Sequence, residues 1–231
     1  MTEPLYTSPE EALAATDDFY TGEGFSYSED LVVEWLSSNI VLPQTGKVLD
    51  LCCGDGIWSR GIQLLNPDLE LFGLDISTGA IGKARRIVGA DAEHYVVGDA
   101  EVPLPWEPGT FDMIFARGPG LYNQHSMDHL DTIRVIEHWH SKLTPRGRLW
   151  SIFASTPKLM GSYTPMDEVK LPYNRAPRQT PTTRFEGGKY HHTVQSFLTP
   201  FWKARNLEIS EYKFVRHQHV LSTRLVIAAP A

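Results

Sequence analysis

Residues 48–59, which read VLDLCCGDGIWS, constrain the fold more than any other part of this sequence. An apolar run typical of a buried strand leads into Asp50, a turn with Gly54 and Gly56 follows, and the pattern then predicts a helix. Glycine has no Cβ and tolerates positive φ, so such a turn lets backbone amides approach a ligand closely. The free amides at the start of a helix favour a polar or anionic ligand group. The sequence therefore predicts a strand–turn–helix unit with a binding site at its turn.

Similar units follow along the chain. Strands are predicted over residues 47–51, 69–74, 93–97, 111–116 and 148–154, most of them separated by apolar stripes of helical spacing. Strands that alternate with helices imply a parallel sheet with helices on both faces. Two closing strands, 207–214 and 223–228, have only a short link and indicate an antiparallel hairpin at the sheet edge. The predicted fold class is α/β: a Rossmann-like, seven-stranded, mostly parallel sheet with a C-terminal antiparallel hairpin strand.

Charged residues follow the predicted strands at the point where each strand ends. In open parallel sheets, ligands bind beyond the carboxyl ends of the strands, where Asp50, Asp75, Asp99 and Arg117 stand. Asp75 could accept hydrogen bonds from two ribose hydroxyls, or it could cap the helix that begins near Ser77. Asp99 could accept from an adenine amino group, or it could be a turn aspartate. Both interpretations of each residue stay open at this point.

Together, these motifs resemble the class I S-adenosylmethionine-dependent methyltransferases. The first motif of that family reads roughly D-x-G-x-G-x-G, which Asp50, Gly54 and Gly56 match, whereas Cys52 stands where the family has its first glycine. The sequence FDMI at 111–114 is similar to the family's fourth strand, and LTPRG at 143–147 is similar to the loop before its fifth. The resemblance implies a methyltransferase whose cofactor is S-adenosylmethionine and whose product is S-adenosylhomocysteine.

The resemblance also assigns residues to parts of this cofactor. It implies that Asp75 holds the ribose and that Ile76, Asp99 and Ala100 contact the adenine. The residues implied at the amino-acid end and turn are Asp50, Cys52, Gly54, Asp55 and Gly56, and Arg117 completes the implied cofactor-binding set.

Two alternatives to this function stay open. A nicotinamide-dependent oxidoreductase would use G-x-G-x-x-G, but the third glycine would fall at Ser59, and Asp55 would repel a pyrophosphate. Asp55 instead suits a cofactor with a free amino group and a positive sulfonium. The other alternative is a methyltransferase-like protein that binds the cofactor without turnover.

The candidate acceptor site is expected after the fourth strand and in a lid over residues 156–190. His125 is the candidate general base, or a loop histidine that caps a helix. The lid carries six Lys or Arg against three Asp or Glu, so its arginines could clamp an anionic acceptor, or the segment could be a solvated loop. The candidate substrate residues are Tyr20, Tyr122, Arg175, Arg178 and His191. His191 and the adjacent His192 have no further Cys, Asp or Glu near them at zinc-ligand spacing, so no metal is expected.

Length, net charge and cysteine content limit the domain organisation, the binding partners and the cellular location to be expected. The 231 residues suit one domain, 1–231, with an N-terminal helical cap over about 1–40 and the lid insertion. A net charge of −7 argues against a nucleic-acid partner, and a small-molecule acceptor is expected. The sequence has no membrane span and no signal-peptide pattern, and its only cysteines are adjacent, so a cytoplasmic protein with free thiols is expected.

Overall fold

The computed structural model describes residues 13–14, 27–89, 91, 93–119, 130–154, 207–215 and 218–225. Its elements, numbered in chain order, are α1 Glu29–Asn39, β1 Gly46–Leu51, α2 Ile57–Leu65, β2 Leu69–Asp75, α3 Thr78–Val88, β3 Tyr95–Val97, β4 Phe111–Arg117, α4 Leu130–Ser141, β5 Leu143–Ala154, β6 Leu207–Val215 and β7 Gln218–Leu225. The whole of the predicted lid, 156–190, lies outside these ranges. Of the predicted cap, about 1–40, the ranges include residues 13–14 and 27–40.

The strands form a seven-stranded sheet in the order β3-β2-β1-β4-β5-β7-β6. The pairs β1–β2, β2–β3 and β4–β5 are parallel. Strand β7 is antiparallel to both β5 and β6. The predicted fold class, a mostly parallel Rossmann-like sheet closed by an antiparallel hairpin, is confirmed.

The chain divides into two compact units, residues 1–104 and residues 105–231, and each is described by itself. In the first unit, α1 packs on α2 where Gly61 leaves room, since a Cβ there would lie 2.5 Å from Val32 Cγ1. Ser28 caps α1, because its hydroxyl accepts from the Leu31 amide at 3.4 Å. Leu31 is 60% exposed, so it does not share the buried face of α1 with Val32.

In the second unit, β5 begins at Leu143 and not at residue 148 as predicted. Leu143 pairs with Phe111 and Arg148 pairs with Met113, so the residues between them form an irregularity in the ladder. Gly147 fits this irregularity because a Cβ there would lie 2.8 Å from the Phe111 carbonyl oxygen. The predicted loop is therefore part of the strand.

The second strand of the closing hairpin begins earlier than its sequence pattern indicates. Strand β7 begins at Gln218 and not at residue 223, and it pairs antiparallel with β5 from that residue onward. Val220 and Leu221 are both buried, although they stand next to each other. A strand buried on both faces lacks polar alternation, and this explains why the pattern missed its first half.

A buried histidine joins α4 to this hairpin. His140 is 1% exposed, and its Nε2 lies 2.8 Å from the Thr223 hydroxyl oxygen. Burial lowers the pKa of His140 to about 4. The imidazole is therefore neutral in the folded protein throughout the physiological pH range.

Replacing His140 with Gln is expected to flatten the pH dependence of stability between pH 6.5 and pH 4. In this window the unfolded chain binds a proton at residue 140 that the native fold does not, so the wild type loses stability as the pH falls. The loss attributable to His140 approaches about 3 kcal/mol near pH 4. Urea denaturation at several pH values measures it. His94→Gln, at a half-buried histidine in the first unit, is the matched control, and parallel curves for H140Q and wild type would contradict the prediction.

Candidate functional site

The turn after β1 contains three residues in the left-handed region, with φ values of 63° at Cys52, 56° at Gly54 and 83° at Gly56. Cys52 is the one non-glycine residue with positive φ in the described part of the chain. At Gly56 a Cβ would lie 2.7 Å from Ala84 Cα, so glycine also lets α3 approach the turn. The Cys53 amide donates to the Leu74 carbonyl at 3.0 Å and fixes the turn against β2.

Asp75 holds this turn from the neighbouring strand. Its Oδ2 accepts from the Gly54 amide at 2.9 Å, and its Oδ1 accepts from the Ser77 amide at 3.0 Å. The helix cap is Ser77 and not Asp75, because the Ser77 hydroxyl accepts from the Ala80 amide at 3.0 Å. The capping interpretation of Asp75 is therefore wrong, and its carboxylate joins the turn to the start of α3.

Asp99 lies at the end of the adjacent strand, β3. The Gly98 amide donates to the Asp75 carbonyl oxygen at 2.9 Å, so the ends of β2 and β3 are tied together. The Asp99 Oδ1 accepts from the Glu101 amide at 2.8 Å, which is the turn-aspartate geometry. Ala100 is buried, whereas Ile76 is 43% exposed at the end of β2. The first unit thus brings together the residues that were predicted to contact ribose and adenine.

Asp50 is more deeply placed than the sequence suggests. It is 2% exposed, and its Oδ2 accepts from the Ser59 hydroxyl at 2.5 Å. Sequence reasoning missed the Ser59 hydroxyl as the partner of Asp50, although Ser59 stands at the position where a dinucleotide turn would have its third glycine. The predicted contact of Asp50 with the amino-acid end of a cofactor stays a prediction.

Asp55 accepts a hydrogen bond from the first backbone amide of α2. Its Oδ1 accepts from the Ile57 amide at 3.2 Å, and Gly56, in the N-cap position, has no side chain to do so. Helix N-terminal amides are the usual binding site for a phosphate. Because Asp55 already accepts one of these amides and adds a negative charge there, the turn is poorly suited to a pyrophosphate.

The turn lies in a strongly negative environment. Burial raises the pKa of the Cys52 thiol well above its usual range, and the carboxylates of Asp75, Asp50, Glu101 and Asp99 raise it further. Burial, Asp50 and Asp75 do the same for Cys53. Both thiols are therefore protonated, and the field that keeps them so favours a cationic ligand group.

The remaining predicted site residues are more dispersed. Arg117 ends β4 in the second unit, half-buried, next to Gly118, whose amide donates to the Ile152 carbonyl at 2.8 Å. The predicted residues that lie outside the described ranges are Tyr20, Tyr122, His125, Arg175, Arg178 and His191. Within the described ranges, no three His, Cys, Asp or Glu side chains are grouped to hold a metal ion. The described helices include none that is long and apolar enough to span a membrane.

Comparison with known proteins places this geometry in a family. Residues 48–147 match the family model for the methyltransferase domain. The malonyl-[acyl-carrier protein] O-methyltransferase of Legionella pneumophila is 33% identical over 70 residues, which cover 30% of this chain and 25% of that protein. An uncharacterized methyltransferase of Synechocystis is 32% identical over 109 residues, 47% of each chain. The 2-phytyl-1,4-naphtoquinone methyltransferase of Thermosynechococcus vestitus is 26% identical over 86% of this chain and 84% of its own length.

Solved structures agree on the fold. The PH0226 protein of Pyrococcus horikoshii has a TM-score of 0.57 at 18% identity, over 91% of this chain and 97% of its own. The calicheamicin biosynthesis methyltransferase CalO1, solved in its S-adenosylhomocysteine-bound form, has a TM-score of 0.52 at 15% identity, over 91% of this chain and 54% of its own.

The fold and the turn after β1 define a Rossmann-like methyltransferase domain. Residues 48–147 match the methyltransferase-domain family, and the seven-stranded sheet agrees with the fold of its class I, S-adenosylmethionine-dependent members. The chain's match spans only a quarter of the Legionella relative and about half of the Synechocystis relative, so its own acceptor does not follow from theirs.

Replacing Cys52 with Gly is expected to stabilise the protein by about 0.5–1 kcal/mol. A non-glycine residue in the left-handed region is strained by about 1–2 kcal/mol, and the extra freedom of glycine in the unfolded chain offsets part of the relief. The free energy of unfolding in urea measures the change. Cys52→Ala is the control, since it removes the thiol but keeps the Cβ, and it is expected to give no gain. Equal effects of the two substitutions would show that strain at Cys52 is not the cause.

Proposed function

We propose that this protein is an enzyme that transfers a methyl group from S-adenosylmethionine to a small-molecule acceptor. The observation that carries the proposal is the negative environment of the turn at residues 52–56, together with the Asp75 carboxylate that anchors it. S-adenosylmethionine has a positive sulfonium and a positive ammonium group, whereas a dinucleotide presents an anionic pyrophosphate. The charges of this turn support the former ligand and oppose the latter.

The described residues have distinct roles in this proposal. The turn holds the amino-acid end, and the Asp75 carboxylate accepts from the ribose hydroxyls while it keeps its bond to the Gly54 amide. The exposed Ile76 side chain packs on the adenine, whose edge is read by Asp99 and the backbone at Ala100. Arg117, which ends β4, stays a predicted member of the cofactor-binding set.

Bound S-adenosylmethionine supplies an electrophilic methyl group on a positively charged sulfur. The protein aligns the acceptor in line with that methyl group and excludes water. Where the acceptor must lose a proton, His125 takes it as general base. Tyr20, Tyr122, Arg175, Arg178 and His191 line the acceptor site in this proposal, and the two arginines favour an anionic acceptor. The domain is a single one, 1–231, with its cap and lid, and it works in the cytoplasm without a metal.

Relatives support a small acceptor without identifying it. The Thermosynechococcus relative, which this chain matches over most of its length, is named for a naphthoquinone, and the Legionella relative for a malonyl-acyl carrier protein. Other relatives are ribosomal RNA methyltransferases, matched over about half of this chain. The net charge of −7 opposes a nucleic-acid acceptor, because such binding requires cationic surface to replace counterions.

Calorimetry tests the cofactor first. S-adenosylmethionine and S-adenosylhomocysteine are both expected to bind with dissociation constants below about 1 mM. A fluorescence titration with the reduced nicotinamide dinucleotide is expected to show no binding. The opposite pattern would exclude the methyltransferase activity and support an oxidoreductase.

A panel of acceptors then tests turnover. Phenols and hydroquinones, small carboxylates and ribosomal RNA are incubated with the cofactor, and formation of S-adenosylhomocysteine is measured. Methylation of a small molecule supports the proposal. Methylation of RNA alone would replace its acceptor, and binding with no turnover on any acceptor would support the non-catalytic alternative.

Asp75→Ala is expected to weaken the binding of S-adenosylhomocysteine by about 1–3 kcal/mol, because a buried charged acceptor is lost. Asp75→Asn is expected to have a smaller effect, since its amide oxygen still accepts one hydrogen bond. Calorimetry measures both variants. Asp68→Ala, at an exposed aspartate of the same unit, is the matched control. Unchanged affinity in D75A would show that Asp75 does not hold the ribose.

A further inference from the structure

The first unit contains a buried tyrosine whose hydroxyl has no obvious structural purpose. Tyr95 is fully buried at the start of β3, and among the described residues its hydroxyl has no hydrogen-bond partner of good geometry. Its ring lies where a Cβ at Gly73 would be, so a glycine in the middle of β2 makes room for it. An unpaired buried hydroxyl destabilises a fold, and a phenylalanine of the same shape would not have this cost.

Tyr95 stands beside Gly73 in the sheet, and Gly73 stands beside Asp50, so the Tyr95 ring lies over the glycine and extends towards β1 and Asp50. Burial raises the pKa of Tyr95 well above its usual range, the charge of Asp50 raises it further, and the nearby Ser59 hydroxyl lowers it. The phenol therefore keeps its proton and stays an O–H group across the physiological pH range. Ser59 already donates to that carboxylate at 2.5 Å.

Asp50 acts on the turn through its charge. Its carboxylate is 2% exposed, yet it raises the pKa of both Cys52 and Cys53. A buried carboxylate stays ionised only where donors replace the water it has lost. The Ser59 hydroxyl is such a donor, and the Tyr95 ring brings a second O–H group towards Asp50, although this group makes no hydrogen bond in the described structure.

We propose that Tyr95 and Ser59 are positioning residues that keep Asp50 ionised inside the domain, so that its charge attracts the ammonium group at the amino-acid end of the ligand without contact. This inference rests on the proposed function, because it concerns the same cofactor site. It revises the direct contact that the resemblance implies for Asp50. It also explains why a tyrosine stands at residue 95 although its buried hydroxyl lacks a hydrogen-bond partner in the described structure.

Two ligands that differ only at the amino-acid end test the proposal. S-adenosylhomocysteine carries the ammonium group, whereas 5′-methylthioadenosine lacks the whole amino-acid end. We expect Tyr95→Phe and Ser59→Ala each to weaken S-adenosylhomocysteine binding by about tenfold, or about 1.4 kcal/mol, while 5′-methylthioadenosine stays within about twofold. Ser37→Ala removes a helix serine hydroxyl that donates to the Glu34 carbonyl, and it is the matched control, with neither affinity changed.

A double-mutant cycle separates positioning from a loss of structure. Asp50→Asn is expected to reduce the preference for S-adenosylhomocysteine by itself, and Tyr95→Phe on that background is expected to have no further effect on it. Equal losses for both ligands in Y95F and S59A, an unchanged preference, or an additive effect in the double variant would each overturn the proposal. If wild-type protein binds neither ligand, the proposed function fails instead, and the two failures are distinguished.

Discussion

The carboxylate of Asp75 is the group on which the arrangement of the first unit depends. One of its oxygens accepts from the amide of Gly54 and the other from the amide of Ser77, while its own carbonyl accepts from Gly98. A single residue at the end of β2 thereby joins the turn after β1, the start of α3 and the end of β3. Charge-assisted hydrogen bonds in a buried place are the strong ones, so these segments are held together more firmly than turns usually are. A ligand that lies across the ends of these strands meets a surface that is already formed.

The turn that Asp75 holds contains a strained residue, Cys52. Cys52 adopts a φ of 63°, where a side chain is disfavoured, and the amide of its neighbour Cys53 is bonded to β2. Strained backbone persists only where the surrounding structure holds it, and such residues concentrate at binding sites. The positive φ at Cys52 thus gives the turn a backbone shape that suits glycine, although this residue carries a thiol.

Local patterns predicted the elements and the strand-end acids, while packing between distant segments supplied what the sequence could not show. The helix cap at Ser28 and the helix after Gly56 follow from capping and turn chemistry, which act over a few residues. The pairing of Ser59 with Asp50 and the contact of Tyr95 with Gly73 join residues that are nine and more than twenty positions apart. One signal was present, because an isolated glycine inside an apolar strand indicates that another group approaches closely. That signal marks Gly73 but does not identify its partner as Tyr95.

Electrostatics explains why a common nucleotide-type turn can select an unusual ligand. The amides at the start of α2 would attract an anion in the absence of side chains, and they do so in dinucleotide-binding proteins. Here Asp55 accepts the Ile57 amide, and Asp50 places a second negative charge beneath the same turn. The backbone geometry that approaches a ligand closely is retained, while the two carboxylates oppose the attraction of the amides for an anion. Specificity between two cofactor classes then depends less on the shape of the turn than on the carboxylates that surround it.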